Sequence, residues 1–164
     1  MRVTAFAKLL AAARRRLAAA PRESLGEVVA PRRILGIPRA ERIVPCGTAW
    51  HLGVLLLTDD AVLATGEIVR AHEDVRRGFA AESQRRRAEV AAAARRGGFA
   101  EGQTVHIGWR MLELPGGEDA AASDPLRLID GVPSVRWSAG GGYVPLAAYL
   151  DERVGLLLEP PAGA

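Results

Sequence analysis

The stretch "TAWHLGVLLLTDDAVLATGEIVRAH", residues 48–72, carries the clearest strand pattern in the chain. Residues 50–57 are almost all apolar and rich in strand formers, in a run too short for a helix. Asp59-Asp60 interrupts it with turn-forming residues before apolar character resumes at Val62. A loop with an even number of residues centred on the aspartates sets Leu57 against Val62, Leu55 against Ala64 and Gly53 against Gly66. It also leaves His51 facing Ile68. Facing glycines open a slot without side chains on both faces of the ribbon. The usual use is packing, through a bulge or a ring such as Trp50 or Trp109 lying across bare backbone. The sharper use is close approach by a ligand, which makes Gly53 and Gly66 candidate ligand-binding positions.

Working outward, Val3, Phe6, Leu10, Ala13 and Leu17 recur in steps of three and four, the stripe of an amphipathic helix over residues 1–20. Pro21 ends it. Pro31, Pro38 and Pro45 break the next segment into short extended pieces and turns that wrap the domain. Residues 80–96 read as a helix with an alanine face, with Arg95 and Arg96 at its negative end and Gly97-Gly98 as a left-handed C-cap. "TVHIGWRMLEL", residues 104–114, alternates, with Val105, Ile107 and Trp109 on one face and His106, Gly108 and Arg110 on the other.

Residues 115–125 read as a mobile polar loop. Asp130-Gly131 is the strongest hairpin-turn signal in the chain, and Pro133 suits an edge strand. Pro145 opens a last helix striped by Leu146, Tyr149, Leu150, Val154 and Leu157. The expected fold is α+β, a small mostly antiparallel sheet built from hairpins and packed by three helices, in one globular domain over residues 1–164. The expected core contains Trp50, Leu52, Val54, Leu56, Trp109, Trp137, Leu150 and Val154.

Composition narrows the function classes. The 164 residues are 49% hydrophobic and 25% charged, a globular balance. No apolar run approaches the roughly 20 residues of a membrane span. Arg14, Arg15 and Arg16 interrupt the first apolar stretch, so it does not read as a signal peptide. The single cysteine, Cys46, cannot close an internal disulfide, and a cytoplasmic location is expected. A net charge of +3 and a pI near 9.7 suggest nucleic acid at first sight. However, Lys8 is the only lysine and asparagine is absent, the usage of a G+C-rich genome. The arginines therefore say little, and nucleic acid is not an expected partner.

Cys46, His51 and Glu67 supply the residue types of a thiol nucleophile, a base and a carboxylate, and are the candidate catalytic residues. His51, His72 and His106 lack the spacing of a zinc site, so no metal and no cofactor is expected. His106, on the strand face it shares with Gly108 and Arg110, is a candidate ligand-binding residue. "SAGGGY", residues 138–143, is read between a strand and a helix, where the amides of Gly140, Gly141 and Gly142 could hold an anion. Neither G-x-G-x-x-G nor a Walker lysine accompanies it, and G-x-S-x-G and S-x-x-K are both absent.

"APRRILGIPRAERIVPCGTAWHLGVLLL", "VLATGEIVRA", "RRGGFAEG" and "VPSVRWSAGGGYVPLAAYLDERVGLLLEPPAGA" together resemble a group of short actinobacterial proteins labelled glutaminase. The resemblance covers nearly the whole chain and implies hydrolysis of glutamine to glutamate and ammonia as an alternative function. Serine-type glutaminases need S-x-x-K, which is missing. Amidotransferase-type glutaminases use Cys, His and Glu, which Cys46, His51 and Glu67 supply without the glycine-flanked nucleophile elbow. No functional residues carry over from the group. The residues themselves point first to a module that binds a small molecule or a protein partner. Self-association as a homodimer is expected through Phe6 and Leu10 on the terminal helix.

Overall fold

The computed structural model describes residues 2–31, 33–74, 78, 81–116 and 121–163. Among these residues three helices are formed: α1 (Arg2–Leu17), α2 (Glu82–Arg96) and α3 (Leu146–Leu158). The strands before α2 are β1 (Glu23–Val29), β2 (Arg33–Ile34), β3 (Ile37–Pro38), β4 (Arg42–Leu52), β5 (Leu55–Leu57), β6 (Val62–Ala64) and β7 (Glu67–Arg70). After it come β8 (Thr104–Ile107), β9 (Arg110–Met111), β10 (Leu126–Ile129), β11 (Val132–Arg136) and β12 (Tyr143–Pro145). Seven strands hydrogen-bond in the order β7-β8-β1-β4-β5-β6-β9, and a second sheet runs β10-β11-β12. The fold is α+β and mostly antiparallel, with β1 and β8 a parallel pair. No helix among the described residues is long and apolar enough to cross a membrane.

The chain forms two compact units, and β4 gives its first residues to one and its last to the other. One unit comprises Met1–Arg22, Ala49–Thr65 and Arg110–Ala164. Its core joins Phe6, Leu10, Ala13 and Leu17 of α1 to Leu146, Leu150 and Val154 of α3. Trp50, Leu52, Leu55 and Leu57 pack into the same cluster. The helix stripe is as the spacing predicts, but its role is corrected. Phe6 is 0% and Leu10 2% exposed, so both fill this unit's own core and neither is free for a second copy. Burying side chains of that size stabilises by about 1.5–3 kcal/mol each. The Val3 side chain lies outside the described residues.

The β5–β6 register is the expected one, with Leu57 opposite Val62 and Leu55 opposite Ala64. The arm before it is not one strand. Leu52 pairs with Leu55 across a two-residue turn, Gly53-Val54, in which Gly53 has φ +66 and Val54 has no positive φ. That is the Gly-X hairpin turn, and no polar residue marks it inside the apolar run. Gly53 therefore does not face Gly66, and His51 faces Leu56 instead of Ile68. Arg14 caps the far end of the ribbon, donating to the carbonyl oxygens of Thr58 (2.7 Å) and Ala61 (3.0 Å).

Asp130-Gly131 forms its expected turn, with φ of +50 and +79 between paired Ile129 and Val132. Pro133 lies in β11, the middle strand of its sheet and not an edge. It is tolerated because β12 stops at Pro145 opposite Ser134, so Pro133 pairs with Leu128 alone. Within the loop read as mobile, residues 117–120 lie outside the described residues. The described part is held, since Arg110 donates to the carbonyl oxygens of Ala122 (3.3 Å) and Asp124 (2.6 Å). Arg136 grips both Asp124 carboxylate oxygens at 2.8 Å.

The other unit comprises Glu23–Thr48 and Gly66–Trp109. The segment read as short extended pieces and turns contains β1, β2, β3 and most of β4; Pro31 falls outside the strands, Pro38 ends β3 and Pro45 lies within β4. Ala91, Ala93 and Ala94 of α2 pack with Ile43, Val69, Phe99, Val105 and Ile107. The alanine face lets α2 approach until a Cβ on Gly97 would stand 1.6 Å from the Ile43 carbonyl oxygen. Gly97 itself is right-handed (φ −76), and it is Gly98 that turns to φ +111. "TVHIGWRMLEL" is also two strands, because Gly108 (φ +63) ends β8 before β9 begins. At the β2–β3 tip, Leu35 and Gly36 are both left-handed, and Leu35 is 96% exposed.

Candidate functional site

Cys46 and His51 are five residues apart on β4, about 17 Å of extended backbone. Glu67 is on β7, three strand spacings from β4, or roughly 14 Å. Its described ion-pair partner is Arg86, at 3.9 Å. The backbone therefore does not gather Cys46 and Glu67 into one constellation. Cys46 reaches solvent, but the low-dielectric surroundings of its sulfur and the negative charge of Glu27 push its thiol pKa up. A catalytic thiol needs the opposite shift. Alkylation of Cys46 by iodoacetamide should consequently show a pH midpoint above the ordinary thiol value of about 8.5. A midpoint below neutrality would overturn this assignment.

The glycines of the ribbon serve packing. A Cβ at Gly53 would stand 2.2 Å from the Tyr149 hydroxyl. One at Gly66 would stand 2.3 Å from the Ile107 carbonyl oxygen and 2.5 Å from that of Gly108. His106 is 0% exposed and hydrogen-bonds through Nε2 to the Glu23 carboxylate, fastening β8 to β1 where Leu25 pairs with His106. Gly140, Gly141 and Gly142 lie between β11 and β12 and not before a helix, which corrects their expected place at an anion-holding helix start. A Cβ on Gly141 would approach the Trp137 indole to 3.2 Å and the Ser138 hydroxyl to 2.4 Å. Gly141 thus makes room for Trp137, whereas a Cβ on Gly140 or Gly142 would meet nothing within 4 Å.

Trp137 is 49% exposed, not buried as its apolar context suggests. It forms one wall of a groove of about 480 Å³ in the first unit. Val144, Pro145 and Ala148 supply further apolar lining, and Tyr149, Glu152 and Arg153 of α3 complete it. That volume is in the range of small-molecule sites, about 300–1,000 Å³. The floor is fixed: Tyr149 Oη donates to the Leu52 carbonyl (2.8 Å) and accepts from the Val54 amide (2.9 Å), closing the Gly53-Val54 turn. The Arg153 guanidinium stands 5.3 Å from the Tyr149 ring centroid, a cation–π arrangement.

Among the described residues, Arg153 Nε has no hydrogen-bond partner, and neither Arg153 nor Glu152 has an ion-pair partner. Elsewhere in the chain, arginines such as Arg16, Arg22 and Arg136 meet carboxylates. The residues that matter here, Trp137, Glu152 and Arg153, carry no motif. Their one sequence signal is the four-residue spacing of Tyr149 and Arg153 on a helix face that also holds Trp137's neighbours. Comparison with protein-family models, curated proteins and solved structures finds no match to this chain.

Proposed function

We propose that this protein is a small-ligand-binding module whose site is the groove between Trp137 and α3. One observation carries the reading: a ligand-sized groove joins a half-exposed indole to a guanidinium that no carboxylate among the described residues neutralises. Pockets of this composition, apolar and aromatic with a few convergent polar groups, are the usual form of small-molecule sites. Tyr149 preorganises the floor before any ligand arrives, which limits the ordering cost of binding.

The test is ligand-observed NMR with a fragment library containing acids, amines, zwitterions and neutral aromatics. Binding fragments are expected, and their signals should disappear in both Trp137→Ala and Arg153→Met. A library without hits, or hits indifferent to both substitutions, would show that the groove is not a binding site.

A further inference from the structure

Resting on that reading of the groove, we infer that its ligand is a zwitterion of α-amino-acid type with a planar or aromatic side chain. The argument starts from charge. Arg153 presents a guanidinium and Glu152 a carboxylate to the same groove, and neither is neutralised by another described residue. They are sequence neighbours on α3, yet they form no ion pair with each other. Oppositely charged groups that line one cavity without pairing suit a guest carrying both complementary charges close together. The guanidinium offers forked N–H donors to a carboxylate, and Glu152 accepts from an ammonium. A simple acid would leave Glu152 facing its own like charge, and a simple amine would leave Arg153 doing the same. Each mismatch disfavours the one-charge ligand.

The remainder of the groove selects the body of the guest. Trp137 provides a flat, half-exposed indole face that lies against Gly141. Val144, Pro145 and Ala148 add apolar lining without further hydrogen-bonding side chains. A planar group stacked on the indole satisfies both, since offset aromatic pairs gain beyond their buried area.

L-Phenylalanine is the probe, with 3-phenylpropionate and phenethylamine as analogues that each lack one charge. Trp137 is the most exposed of the three tryptophans, so its emission reports the groove. A saturable change in emission is expected with L-phenylalanine, absent in Trp137→Phe. Both analogues should bind about tenfold more weakly or worse, the usual scale for one charged hydrogen bond. Arg153→Met should reduce L-phenylalanine to the level of phenethylamine, and Glu152→Gln to that of 3-phenylpropionate. If either analogue equals L-phenylalanine and the matching substitution changes nothing, the zwitterion assignment is wrong while the groove stands as a site. If none of the three binds but library fragments do, the ligand class is again overturned alone. If no fragment binds either, both readings are overturned.

Discussion

Gly97→Ala should lower the melting temperature by about 6–12 °C. The new Cβ would sit 1.6 Å from the Ile43 carbonyl oxygen and 2.4 Å from its carbon, both backbone atoms of β4. A flexible side chain could swing aside; a paired strand cannot. Relief requires the end of α2 to lift, which uncovers the packing of Ala93 and Ala94 against Ile43 and Phe99. Overpacking of this kind costs about 3 kcal/mol, at the upper end of its usual range. The same substitution at Gly155, inside α3 with open space at its Cβ, should instead stabilise by about 0.5–1 kcal/mol. Thermal melts followed by circular dichroism of the two variants decide the matter. Equal melting temperatures would mean that α2 does not approach β4 so closely.

The second large effect is expected at the turn beneath the groove. Gly53→Ala places a Cβ 2.2 Å from the Tyr149 hydroxyl, at a residue whose φ of +66 already disfavours any side chain. Left-handed backbone costs about 1–2 kcal/mol for an L-residue. Displacing Tyr149 from Leu52 and Val54 adds roughly 1–3 kcal/mol for groups left unpaired. Tyr149→Phe removes the hydroxyl that is struck, so the two substitutions should not add. The double variant is expected to fall short of the summed single losses by at least about 1 kcal/mol, as contacting residues do. Strict additivity in denaturant titrations would mean that Gly53 and Tyr149 do not meet.

Much of the architecture was legible because its signals are local. Steps of three and four place Phe6, Leu10 and Leu17 on one helix face, and Asp130-Gly131 announces its turn by chemistry. The β5–β6 register follows from an apolar run broken by two aspartates. Gly53-Val54 escaped notice for a physical reason. A Gly-X turn needs only a left-handed first residue, and hydrophobic neighbours hide it. The strands at residues 23–48 were obscured by prolines, which restrict where a strand may pair; even so, Pro45 lies inside β4. Phe6 and Leu10 could be placed on a stripe, but what covers the stripe is a tertiary fact.

The groove was the least legible part. One arginine among many shows nothing in sequence of whether a carboxylate meets it; Arg136 is paired with Asp124, while Arg153 has no such partner among the described residues. Trp137 looks like core in a sequence, yet it stands half-exposed against Gly141. Cys46, His51 and Glu67 illustrate the converse, since attractive residue types need a fold to bring them together.

The threading of the chain has a consequence for the order in which its parts can be completed during synthesis. Glu23–Thr48 and Gly66–Trp109 leave the ribosome while α3 is still unmade, so that unit's packing can close early. The first helix has no such opportunity. Its buried face meets Leu146, Leu150 and Val154, encoded well over a hundred residues downstream. At bacterial or eukaryotic elongation rates that interval is roughly 6–26 seconds. For that time the part of the Phe6, Leu10 and Leu17 stripe that α3 covers stays exposed on the nascent chain. The α1 stripe thus completes its packing only once α3 is made, and a factor that shields short hydrophobic helices at the exit tunnel would have its substrate there.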